Sequence, residues 1–196
     1  RPKLFKRLRP FTWISPIHET VRLTPIVYDS DIEILHMQAG DHSKRDFSTY
    51  FKAFEKGIHI EDYVVTMLCK ELFISGEDSD FIAFRNIFEN ILSKEGRSND
   101  LMKEINCILA KICLILGTFY MNQTDYEEAV LWLYNAAFET ESILDVASSG
   151  NKPLSLLGKC FEELAAATDD PYEAAQYNEM SADYYSQAEN WKLPEE

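Results

Sequence analysis

The chain has 196 residues, 46% of them hydrophobic and 27% charged, enough apolar surface for one sizeable core and too much for a disordered segment. Only 7 Gly and 7 Pro are present, too few turns for a many-stranded β fold. A net charge of -14 excludes nucleic acid as a partner of the main body, because its phosphates would be repelled.

That charge is unevenly spread. Residues 1–25 carry Arg1, Lys3, Lys6, Arg7, Arg9 and Arg22 against Glu19 alone, a balance of +5 that leaves -19 for the remainder. Such a basic start suits phosphate, an anionic lipid surface, an acidic partner face, or simply a solvated edge. Lys3-Leu4-Phe5-Lys6-Arg7-Leu8 alternates and Thr12-Trp13-Ile14 is β-prone, while Pro10, Pro16 and Pro25 bar a long helix. Ile26-Val27-Tyr28 and Ile32-Glu33-Ile34-Leu35 read as strand, and residues 39–43 as a loop in which Asp41 or Ser43 caps a helix.

From about Lys44 the apolar period changes from two to 3.6. Phe47, Tyr50, Phe51 and Phe54 form one stripe; Val64, Met67, Leu68 and Leu72 a second; Phe84, Ile87, Phe88, Ile91 and Leu92 a third. Breaks at Gly57, Ser75-Gly76 and Gly96-Arg97-Ser98 are spaced as in antiparallel helical hairpins.

Residues 110–141 place Cys113, Leu116-Gly117, Tyr120, Ala129, Leu133 and Ala136 at the spacing of a tetratricopeptide unit. Gly117 and Ala129 spare room where two helices cross closely, and Leu116, Tyr120 and Leu133 fill the surrounding space. A second copy is expected from Leu157-Gly158, Phe161 and Tyr172-Glu173-Ala174, with four extra residues in a loop over 165–170 and a second helix through Tyr177, Met180 and Tyr184. A degenerate unit over 63–92 has Cys69 at the glycine position, and residues 44–62 and 98–109 add flanking helix. The expected fold is therefore mainly α: tetratricopeptide-like antiparallel helical hairpins forming an α-solenoid over 44–196, after a short β-containing piece at 1–38. Tyr126, Trp132, Tyr134 and Tyr177 are candidates for the binding surface, although aromatic residues at these spacings also serve packing.

Cys69, Cys107, Cys113 and Cys160 make no CxxC pair and sit in apolar periodic stretches, so reduced core thiols and a cytoplasmic location are expected. The apolar stretch 107–120 is interrupted by Lys111 and is too short for a membrane span. The sequence offers no nucleophile elbow, phosphate-cradling glycine loop or zinc spacing. Among the histidines, His42 and His59 stand beside loop signals, whereas His18 lies where basic and aromatic residues concentrate.

Pro2-Lys3-Leu4-Phe5-Lys6-Arg7, Trp13-Ile14-Ser15-Pro16-Ile17-His18-Glu19 and Tyr28-Asp29-Ser30-Asp31-Ile32-Glu33-Ile34-Leu35-His36 together resemble the closing stretch of bacterial family 2 glycosyltransferases. Some members of that group continue into tetratricopeptide repeats, the order seen here. The resemblance implies a parent enzyme that holds a nucleotide diphosphate-sugar through a divalent Mg or Mn ion on an Asp-x-Asp motif. His18 would then be a metal ligand near the diphosphate, with Glu19 as a catalytic carboxylate beside it and Lys6 and Arg7 facing the cofactor's charge. From the residues alone, His18 is as well explained as a structural histidine partnered by Glu19.

The nucleotide-binding half of that family is missing, and Asp29-Ser30-Asp31 stands at the wrong end of the domain to replace it. The expectation is a C-terminal fragment, inactive alone and without a cofactor of its own, whose repeats bind an acceptor protein or peptide or mediate a homodimer. The alternative is a free-standing tetratricopeptide adaptor that binds a basic peptide or protein.

Overall fold

The computed structural model describes residues 13–14, 20–21, 43–94, 96–139 and 151–191. Two-residue strands β1 (Trp13–Ile14) and β2 (Thr20–Val21) pair antiparallel, Trp13 opposite Val21 and Ile14 opposite Thr20. The strands expected at 26–28 and 32–35, and Asp41 as a cap, lie outside the described residues. Helices make up the rest: α1 (Ser43–Glu55), α2 (Asp62–Ser75), α3 (Asp78–Leu92), α4 (Asn99–Asn122), α5 (Tyr126–Tyr134), α6 (Lys152–Ala167) and α7 (Pro171–Asn190). A π turn, Asn135–Glu139, continues α5. The described part of the protein is mainly α.

Local chemistry explains where these helices begin. Ser98 accepts a hydrogen bond from the Leu101 N–H at the head of α4, and Asp125 does the same for Glu128 at α5. Glu77 and Asp80 form a reciprocal capping box on α3. Asp170 caps α7, and Pro171 loses no helical bond at its first position.

The helix α4 is the spine. Its first half, through Leu101, Ile105, Ile108 and Ile112, closes a core with Phe47 and Tyr50 of α1, Val64, Leu68 and Leu72 of α2, and Phe84 and Phe88 of α3. Its second half, from Leu114, closes another with Ala129 and Leu133 of α5 and Leu157, Cys160 and Phe161 of α6. One continuous 24-residue helix therefore serves both cores, and residues 98–109 are not a separate flanking helix. No breaker stands between the Ser98 cap and Asn122, and Gly117 is held helical by its neighbours.

By length and composition α4 is also apolar enough to cross a membrane, the one such helix among the described residues. Its buried side chains pack against protein on both halves of the helix.

The expected unit over 63–92 takes a different form. The backbones of α2 and α3 make few contacts with each other, and Phe73 meets Phe81 edge-on at 5.5 Å. Each packs instead on α1 and α4, so Cys69, fully buried, belongs to the first core and not to a hairpin crossing. The apolar stripes of α2 and α3 are both needed to cover α4.

Pairs α4/α5 and α6/α7 are the true helical hairpins. At the first crossing, a Cβ on Gly117 would lie 2.6 Å from Leu133 Cγ, so any larger residue would force Leu133 to shift. At the second, Gly158 stands against the Tyr185 ring, and the Ser181 hydroxyl donates to the Gly158 carbonyl at 2.8 Å. Ser181 and Tyr185 thus occupy the places that Ala129 and Leu133 hold in the first pair. Ala174, the residue expected there, is half-buried and seven positions away. The four extra residues lengthen α6 by a turn, since 165–167 are helical and only 168–170 form the link.

Candidate functional site

Lys6, Arg7, His18 and Glu19 lie outside the described residues, as does Asp29-Ser30-Asp31. Among the described residues no group of three His, Cys, Asp or Glu side chains is placed to hold a metal ion.

The four candidate surface aromatics divide. Trp132 is half-buried: its Nε1 donates to Glu128 Oε1 at 3.1 Å, and the Arg85 guanidinium of α3 lies 4.8 Å from its ring centre. That cation–π contact joins α3 to α5 and leaves Trp132 a packing residue. Tyr126 packs against the second core. Tyr177 is half-buried and donates from its hydroxyl to Glu173 at 3.2 Å. Tyr134 alone is well exposed, at 44%.

Tyr134 heads a continuous aromatic row that spacing within one helix could not reveal. It meets Phe138 at 4.8 Å, Phe138 meets Tyr184 at 6.4 Å, and Tyr184 stacks on Phe161 at 5.6 Å. Phe161 then meets Tyr177 at 5.9 Å. The π turn brings Phe138 into this row, to which α5, α6 and α7 contribute the other rings. Tyr172, at the start of α7, is 73% exposed.

Carboxylates surround the row. The hydrogen bond to Glu173 raises the Tyr177 phenol above its ordinary value, with burial and the charges of Glu173 and Glu127 adding to the effect. Burial raises Tyr184, and Asp183 contributes. Burial also raises Tyr185, whose hydroxyl donates to Glu162 at 3.1 Å. From residue 160 to residue 191 the sequence has eight acids (Glu162, Glu163, Asp169, Asp170, Glu173, Glu179, Asp183, Glu189) and no Lys or Arg. Over 160–191 the hairpin α6/α7 therefore presents its phenols within a negative field, the cations of the pair being Lys152 and Lys159 in the first part of α6.

Three of the four cysteines are poor nucleophiles. None is in a disulfide, and burial pushes the thiols of Cys113 and Cys160 up to about 11 and Cys69 higher still.

Two concave surfaces lie apart from the aromatic row. One, of about 330 Å³, lies along α4 at Lys111, Thr118 and Phe119 and reaches Lys152 of α6. A larger one, of about 460 Å³, lies between α1 and α3.

No protein-family model, curated protein or solved structure matches this chain.

Proposed function

We propose that this chain is a protein-docking module of tetratricopeptide-like hairpins, and that the acidic, phenol-bearing face of α6 and α7 holds a basic protein segment. The observation that carries this reading is the run of eight carboxylates without a cation over 160–191, with Glu173 and Asp183 against the row that runs from Tyr134 to Tyr177. A lysine or arginine would meet a tyrosine face and a carboxylate together, two weak attractions that add at one place. Supporting the repeat reading are the two hairpins that each cross at a glycine, Gly117 and Gly158.

Fluorescence anisotropy with labelled peptides tests the docking face. A lysine- and arginine-rich peptide should bind, with affinity falling steeply as salt rises, and its glutamate counterpart should not. Neutralising Glu173, Glu179 and Asp183 together should weaken the basic peptide by about tenfold or more. Equal binding of both peptides would remove the electrostatic reading.

We further propose that the parent protein is a family 2 glycosyltransferase, with these hairpins as its C-terminal arm and sugar transfer residing in a preceding nucleotide-sugar domain. The sequence features that support it are Trp13-Ile14-Ser15-Pro16-Ile17-His18-Glu19 and the strand-prone residues after it. The coding sequence ahead of Arg1 tests this: a strand-rich region with an Asp-x-Asp motif is expected. An initiator methionine directly before Arg1 would leave the adaptor alone standing.

A further inference from the structure

The concave surface between α1 and α3 is built on the first core and shares no lining residue with α6 or α7, which makes it independent of the docking face. Two glycines in the left-handed region shape it: Gly57, at φ +65°, turns the chain after α1, and Gly96, at φ +85°, turns it after α3. The first turn is closed by Gly57 N–H on the Phe54 carbonyl at 2.9 Å and Ile58 N–H on the Ala53 carbonyl at 3.0 Å. It brings His59 to one rim, and the second turn brings Arg97 to the same groove.

The groove is amphipathic along its length. Phe51, Phe54 and Ile87 form an apolar wall, partly buried and packed on the first core. Lys94, Arg97 and His59 supply its basic groups, against Glu55 as the single carboxylate among the lining residues. Arg97 is held in place: it donates to Asp62, which also accepts the Ser98 N–H at 2.9 Å. Among the described residues one of its N–H groups is bonded, the side chain is 16% exposed, and its charge is paired with that of Asp62. Lys94 makes no ion pair with any described residue. A protein of net charge -14 thus keeps an arginine anchored on Asp62 and an exposed lysine beside an apolar wall. At about 460 Å³ the groove lies within the usual range of small-ligand sites.

We infer that this groove binds a small amphipathic anion, an aliphatic body along Phe51, Phe54 and Ile87 with one anionic head between Lys94 and Arg97. A carboxylate and a phosphomonoester both fit the fork of Arg97, so the head is defined by charge and not by its element.

Calorimetric titration of the protein with decanoate, decyl phosphate and decan-1-ol, all below their aggregation limits, tests it. Saturable binding of at least one anion is expected, about tenfold tighter than decan-1-ol, the loss of roughly one charge-assisted hydrogen bond. A preference for decanoate assigns a free acid, and a preference for decyl phosphate assigns a phosphorylated lipid or alcohol. Lys94→Gln, at an exposed position, should weaken the anion several-fold and leave decan-1-ol unchanged. Asn90→Trp, on the groove's rim, should block all three while the thermal midpoint stays near that of the parent. Equal binding of decan-1-ol, unchanged binding in both variants, or no saturable binding of either anion would overturn the inference.

Discussion

The Ser181 hydroxyl of α7 donates a 2.8 Å hydrogen bond to the Gly158 carbonyl of α6, in a crossing where both residues are buried. The bond ties the two helices together and fixes their register. A carbonyl that accepts from a neighbouring helix needs a short donor, and serine at the Ala129-like position supplies one without adding bulk.

Ser181→Ala should therefore lower stability by about 1 kcal/mol, the net value of a buried neutral hydrogen bond. Ser181→Val should cost more, because it removes the donor and adds volume to a close crossing. Urea melts followed by circular dichroism measure both, and Val costing no more than Ala would show that the crossing has slack.

The two crossing glycines should differ in their tolerance of a methyl group. At Gly117 the added carbon would meet Leu133 Cγ at 2.6 Å, and Leu133 is wholly buried. At Gly158 it would meet the Tyr185 ring at 2.9 Å, and Tyr185 is 36% exposed and able to swing outward. Gly117→Ala should cost about 1–3 kcal/mol and Gly158→Ala clearly less. Combining Gly117→Ala with Leu133→Ala should give less than the sum of the two costs, since the second change removes the clash made by the first. Urea midpoints of the single and double variants measure the difference.

Asp62 ties α2 to the turn before α4. Burial alone would raise its carboxyl, but the hydrogen bonds from Ser98 and Arg97 outweigh it and hold the group below its ordinary 3.8. A carboxyl lowered in the folded state stabilises above its unfolded value, and that contribution is lost as pH falls through the folded one. Stability should thus decline below about pH 4, and Asp62→Asn should flatten the decline while reducing stability near neutrality. Urea midpoints of the two proteins at neutral and acid pH should converge on acidification; parallel curves would show that Asp62 is not the group responsible.

The thiols of Cys69, Cys113 and Cys160 should be slow toward Ellman's reagent. Moving Cys113 and Cys160 from 9.0 to about 11 cuts their thiolate fraction about a hundredfold at mildly alkaline pH. Cys69, buried entirely, should react only as fast as the first core opens. Timed reaction with and without urea separates these classes, and four fast equivalents in the native protein would contradict the burial.

The first hairpin is legible in the sequence because its signal is steric and local. Gly117, Ala129 and Leu133 lie on facing sides of two helices joined by a short link, and no other pairing of the same residues closes it. In the second hairpin the spacing points to Ala174, seven residues short of Ser181, which actually faces Gly158. Seven residues are close to two helical turns and rotate a side chain by only about 20°, so both positions show the same face. Nothing in the periodicity separates them; the length of α6 beyond Gly158 does.

Sequence alone determined that the described residues from about Lys44 onward are mainly helical, which faces are apolar, and that Gly117 marks a close crossing. These follow from periodicity and from side-chain volume, which are properties of single helices. Only the tertiary structure decided that α2 and α3 straddle α4 instead of pairing, that Tyr134, Phe138, Tyr184, Phe161 and Tyr177 form one row, and that Arg97 is anchored on Asp62 beside an apolar wall. Each of these joins residues from different helices. Their meeting depends on which helices share a core, and amphipathic patterns say that a face is buried without saying against what.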